Sequence, residues 1–133
     1  MKHILASVVL LVLLFPALAL GGEVKWKDLV ERDGIYYKKF TDIPFTGNVT
    51  GIFQGKIKDG KKHGSWVWYH DNGQLYSKET FKDGKLDGPY VSYHENGQLS
   101  FKGTYKDGKK VGPWVRYHLD GRLGNKVTYK DGE

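Results

Sequence analysis

His70, His94 and His118 recur at one constant spacing, and imidazole is the side chain that could hold a metal at neutral pH. If each stands at the same place in successive β-hairpins, neighbouring copies lie two strands apart, about 9.5 to 10 Å. One zinc ion, with bonds to imidazole near ~2.0 to 2.1 Å, cannot bridge that distance. The histidines are therefore expected to flank turns as solvated residues, with no metal. Asp59, Asp83, Asp107 and Asp131 keep the same spacing, and each precedes a glycine. Their expected task is turn chemistry, because an Asp side chain bonds its own backbone and tolerates the turn conformation. A calcium loop would need several oxygen ligands close together in one loop, and no segment supplies them. Ser65, Ser77, Ser92 and Ser100 lie outside any nucleophile-elbow pattern, and no two acids are marked as a glycosidase pair. The cysteine count is zero, which excludes a thiolate zinc site and a thiol nucleophile. Asn48-Val49-Thr50 matches a glycosylation acceptor, relevant only in a eukaryotic host. No catalytic residue, metal or cofactor is expected; what remains is recognition.

The spacing itself is the strongest signal. Lys-Asp-Gly ends at Gly60, Gly84, Gly108 and Gly132, and residues 61–84 laid over 85–108 agree at more than half of their positions, so one supersecondary unit is being stacked. Asn72-Gly73, Asn96-Gly97 and Asp120-Gly121 read as hairpin turns, and Asp83-Gly84 and Asp107-Gly108 as the reversals between hairpins. The structural turn glycines are then Gly60, Gly73, Gly84, Gly97, Gly108 and Gly121. No stretch after residue 23 keeps a helical period, so the fold class is all-β: an elongated antiparallel sheet of successive hairpins.

Alternation divides the strands into two faces. Val67 and Tyr69, Val91 and Tyr93, and Val115 and Tyr117 share one parity and are expected inward. A three-residue loop at Asp71-Asn72-Gly73 would set Tyr69 opposite Leu75 on that face. The other parity carries Trp66, Trp68, Tyr90 and Trp114, with Ser92 and Arg116 interleaved. These rings either cover the second face of a thin sheet or form an exposed row. Trp66, Trp68, Tyr90, Trp114 and Arg116 are accordingly the candidate binding face.

The ends differ from the middle. Residues 45–60 are a worn, partial unit, followed by full units at 61–84, 85–108 and 109–132. Residues 23–44 hold a short hairpin about Arg32-Asp33-Gly34 that is expected to cap the array. At the far end Val127, Thr128, Tyr129 and Lys130 form a candidate edge strand, guarded by Lys126 and Lys130 or open to a partner. Residues 1–22 are expected to be a signal peptide: Lys2 and His3, an apolar run from Ile4 to Phe15, then Pro16 and Ala17-Leu18-Ala19. The remainder is expected to be periplasmic or secreted, a membrane-anchored form being the lesser alternative. With a net charge of +6 spread over mixed-sign surfaces, the expected partners are a protein or a second copy, or else an envelope glycan or anionic lipid, and not nucleic acid.

Lys58-Asp59-Gly60-Lys61-Lys62-His63-Gly64, with Trp66-Val67-Trp68-Tyr69 and Asn72-Gly73-Gln74-Leu75 and their echoes to residue 133, resembles the MORN repeat, the membrane occupation and recognition nexus motif. It is most similar to the variant found in bacterial YwqK-type antitoxins. The resemblance implies a non-enzymatic sheet of hairpin repeats that binds a protein partner, in an antitoxin or immunity-like role. Trp66, Tyr90 and Trp114 stand where the original motif places glycine, so its phospholipid-binding role is not carried over.

Overall fold

The structure, a computed structural model, describes residues 22–133; the expected signal peptide lies almost wholly outside them. Twelve strands follow one another: β1 (Glu23–Lys25), β2 (Leu29–Arg32), β3 (Ile35–Lys38), β4 (Gly47–Thr50), β5 (Phe53–Lys58), β6 (Lys61–Tyr69), β7 (Leu75–Lys82), β8 (Lys85–Leu86), β9 (Gly88–Tyr93), β10 (Leu99–Lys106), β11 (Lys109–Tyr117) and β12 (Leu123–Tyr129). From β4 onward successive strands pair antiparallel, except that β7 pairs both β8 and β9, giving a ten-stranded sheet in the order β1-β4-β5-β6-β7-β9-β10-β11-β12 with β8 off this path. The fold is all-β, an antiparallel sheet of hairpins.

Two turn chemistries alternate along it. Asp59-Gly60, Asp83-Gly84 and Asp107-Gly108 are two-residue turns between directly paired lysines, as in Lys58↔Lys61. Asp59 and Gly60 have φ of 50° and 79°, and the other two pairs are nearly the same. Positive φ at both positions marks the turn whose twist matches that of the flanking strands. They are hairpin turns in their own right. The second kind is the three-residue Asn-Gly loop. His70 N–H donates to the Gln74 carbonyl at 2.7 Å and Gly73 N–H to the His70 carbonyl at 2.9 Å, while Asn72 Oδ1 accepts from Gln74 N–H. Tyr69 then pairs with Leu75.

The turns also bind repeat to repeat. His70 Nε2 donates to the Tyr93 carbonyl at 2.9 Å and His94 Nε2 to that of Tyr117 at 3.0 Å. Beside them Asn72 Nδ2 donates to the Glu95 carbonyl and Asn96 Nδ2 to that of Leu119. His70 and His94 are therefore half-buried stitches and not solvated flanks; only His118, in the last unit, is exposed. The constant spacing of the repeats reflects this ladder, since each carbonyl accepting the bond lies in the following unit.

The N-terminal region is more than the expected hairpin. β1 joins the main sheet parallel to β4, with Val24 beside Val49. A single 3-10 turn, Trp26–Asp28, then leads into the separate β2-β3 ribbon. That ribbon is tied to the first Asp-Gly turn: Tyr36 N–H donates to the Gly60 carbonyl, Gly60 N–H to Phe45 and Phe45 N–H to Tyr36, all at 2.8 to 2.9 Å. Beneath this cap lies the core of Val24, Leu29, Phe45, Val49, Ile57, Trp66 and Phe81. At the opposite end β12, carrying Val127, Thr128 and Tyr129, is the edge strand of the sheet.

The face expected inward is only half-buried. Val67, Tyr69, Val91, Tyr93, Val115 and Tyr117 are all intermediate in exposure, whereas Trp66 and Trp114 of the opposite parity are interior. At Trp66 the cover is the cap, which folds over that face; at Trp114 it is a group of sheet tyrosines, Tyr105 at 5.0 Å, Tyr90 at 5.5 Å and Tyr129 at 6.4 Å.

Candidate binding groove

Trp66 is completely buried and Trp114 is 6% exposed. Each lies flat against a glycine of the preceding strand. A Cβ on Gly55 would stand 2.6 Å from Trp66 Cγ, and one on Gly103 would stand 2.7 Å from Trp114 Cε3, closer than real carbon contacts allow. Each indole N–H then donates to the next carbonyl on that strand, Trp66 Nε1 to Lys56 at 3.1 Å and Trp114 Nε1 to Thr104 at 3.2 Å. Burying a Trp requires such a partner. The middle unit has Glu79 in place of the glycine and Tyr90 in place of the tryptophan.

Around Trp66 the rings are closely arranged. Phe53 lies 4.7 Å from it, Trp26 from the cap stands edge-on at 6.1 Å and Phe81 at 6.2 Å. Lys62 reaches into this group, its Nζ 4.6 Å from the Phe53 centroid and 5.0 to 5.4 Å from those of Phe81, Trp26 and Trp66. Burial pushes its pKa below the usual lysine value, and the charges of Glu79 and Glu31 offset part of that. The ring faces supply attraction to the ammonium in place of water.

Beside this group opens a groove of about 900 Å3, between the Lys25-Trp26-Lys27 segment, the turn at Gly51 and Ile52, and the sheet residues Phe53, Lys62, Trp68 and Glu79. Its size falls within the range of ligand pockets, roughly 300–1,000 Å3. Trp68 is 44% exposed and Ile52 is 61% exposed. Trp68 is braced by Phe53 at 5.4 Å and Tyr76 at 5.2 Å, so the ring is presented without being free.

Of the candidate face, then, Trp66 and Trp114 are structural seats and no part of an exposed row. Tyr90 is half-buried, packed 5.5 Å from Trp114. Trp68 and Arg116 alone are exposed, and Ser77, Ser92 and Phe101, paired in register, separate them on the sheet face. The groove-lining residues Trp26, Ile52, Phe53, Lys62 and Glu79 were not among the sequence candidates. The glycines could have pointed to the seats, because Gly55 precedes Trp66 and Gly103 precedes Trp114 by the same interval at which Glu79 precedes Tyr90. Among the described residues no three His, Asp or Glu side chains gather as a metal site would require.

Residues 62–83 and 86–107 match the family described as the MORN repeat variant. The first stretch is β6, its Asn-Gly loop and β7, and the second is the end of β8 with β9, its Asn-Gly loop and β10, each ending at an Asp-Gly turn. No curated protein and no solved structure matches the chain. Repeats of this kind generally mediate contacts with proteins or membrane lipids, and it is the two central units of this sheet that match the repeat variant.

Proposed function

We propose that the chain is a non-enzymatic recognition module, acting outside the cytoplasm, that takes a protein partner in the groove between cap and sheet, in the manner of an immunity-like binder. The observation that carries this reading is the half-exposed, ring-braced Trp68 beside exposed Ile52 in a groove of about 900 Å3. Large, rigid aromatic anchors concentrate binding energy in protein interfaces. The rim carries both signs, Lys25 and Lys27 against Glu79, which suits a polypeptide better than a uniformly anionic surface. The test places a photo-crosslinking residue at position 52 in the exported protein and identifies what it captures in the native host. Capture of one defined polypeptide, lost in Trp68→Ala, supports the reading. Capture that is unchanged by Trp68→Ala, or confined to lipid and glycan, overturns it.

A second reading, contact with anionic lipid of the envelope, rests on one loop. Phe40 is fully exposed with φ of 66°, a conformation that bulky residues rarely adopt. Lys38 and Lys39 precede it and Ile43, 79% exposed, follows. The loop is held in shape by Arg32, which donates to the Thr41 carbonyl at 2.7 Å and pairs with Asp42 at 3.3 Å. Sedimentation with phosphatidylglycerol vesicles, lost in Phe40→Ser, would support this reading; equal sedimentation of the variant would overturn it.

A further inference from the structure

The array contains its aromatic seat twice, and only one copy is filled by the cap. Phe53, Gly55, Lys62 and Trp66 correspond, two repeat units on, to Phe101, Gly103, Lys110 and Trp114. In the first seat Trp26 stands 5.4 Å from Phe53 and 6.1 Å from Trp66, with the Lys62 ammonium 5.2 Å from its ring. In the second, Lys110 Nζ lies 4.7 Å from the Trp114 ring, and Phe101, Lys110 and Trp114 border an open cavity of about 220 Å3. Phe101 and Val127, on its walls, are 40% and 43% exposed. A cavity of this size lies below the range of small-molecule pockets, about 300 Å3 and upward, and has room for a single side chain.

We propose that the Trp114 seat docks a partner polypeptide segment that presents an aromatic side chain next to a carboxylate. The aromatic part follows from the filled copy, where an indole delivered on a turn is what packs against Phe53 and Trp66. The carboxylate follows from charge. Lys62 has Glu79 and Glu31 nearby, but in the second copy Val127 stands at the position equivalent to Glu79, and Arg116 replaces Trp68. The second seat thus has two cations and no acid among its lining residues, and an occupant must bring the countercharge. This site is separate from the groove, so either can fail alone.

The test uses the mature protein and three short blocked peptides: a Trp between two Asp, the same with Lys flanks, and the same with Ala for Trp. Binding is followed by NMR on the Trp114 indole N–H, assigned with a Trp114→Phe variant. The Asp-flanked peptide is expected to shift this resonance with a Kd of about 1 mM, and the other two to bind at least about tenfold more weakly. Lys110→Ala with Arg116→Ala should weaken the Asp-flanked peptide by a similar factor, while Trp68→Ala leaves the shift unaltered. No shift at Trp114, a shift only at Trp26 and Trp68, or equal binding by the double variant overturns the proposal. Sedimentation of the protein alone covers the rival occupant, a second copy offering its exposed Phe40 with Asp42 close by. Self-association abolished by Phe40→Ser would make the guest that second copy and overturn the assignment to a partner.

Discussion

Gly55→Ala should be strongly destabilising, although Gly→Ala in a strand ordinarily stabilises. Gly55 does not have a positive φ, so alanine is acceptable to the backbone, and the lost chain entropy alone would favour the variant by about 0.4–1 kcal/mol. The obstacle is the Trp66 ring, 2.6 Å at Cγ from the new carbon. Trp66 is fully buried and hemmed in by Phe53, Trp26 and Phe81, so it can move only by displacing the cap. Overpacking of this kind costs about 1–3 kcal/mol. Drawing Trp66 Nε1 away from the Lys56 carbonyl, 3.1 Å distant, adds about 1 kcal/mol. A loss of about 2–4 kcal/mol is expected by urea denaturation, with a fall in Tm of roughly 4 °C for each kcal/mol. The middle unit supplies the control, since a non-glycine, Glu79, coexists there with Tyr90. Gly55→Ala combined with Trp66→Tyr should therefore cost less than the sum of the two, with a coupling of about 1–2 kcal/mol. A neutral or stabilising Gly55→Ala, or strict additivity with Trp66→Tyr, would refute the seat.

Three further outcomes are expected. Gly97→Val should lower stability by more than about 1 kcal/mol, and by more than Gly73→Val. Both glycines have φ of 85°, but a Cβ at position 97 would also stand 2.8 Å from Gln74 Oε1 while position 73 is open; equal melting midpoints would remove the contact from the account. His94→Ala should cost about 1–2 kcal/mol through the unpaired Tyr117 carbonyl, whereas His118→Ala, in the exposed last unit, should leave thermal unfolding unchanged. Equal effects would show that the stitches carry no energy. Lys62 titrates below the usual lysine value when folded, so between that lowered pKa and the unfolded one the unfolded chain binds more protons and stability rises with pH. Burial raises the pKa of Tyr36, Tyr90 and Tyr105, which acts in the opposite sense near their titration. The clean measurement is therefore wild type minus Lys62→Met, where the tyrosines cancel: wild type should gain on the variant as pH rises toward the ordinary lysine pKa, and a flat difference would contradict the burial of the ammonium.

The repeat period, the all-β class and the turn dipeptides were legible in the sequence because they are local. An Asp-Gly or Asn-Gly pair needs only its own φ values and side chain to reverse the chain, and alternation shows which residues share a face. What alternation could not say is which face becomes the interior. Both parities carry apolar residues, Val67 and Tyr69 against Trp66 and Trp68, so at the Trp66 end the choice falls to the segment that covers one of them. That segment, β1 with the Trp26 turn and the β2-β3 ribbon, belongs to no repeat and packs on Trp66 from far upstream in the chain. Dependence on remote partners also explains why His70 and His94 looked solvated, since their acceptors, the Tyr93 and Tyr117 carbonyls, belong to the next unit. The glycine beneath each tryptophan was visible as a letter but not as a seat, because the strand that brings Gly55 against Trp66 is set by pairing across the Asp59-Gly60 turn. Local backbone preference thus determined the unit and its turns, and contacts between distant segments decided the interior, the groove and the second, open seat.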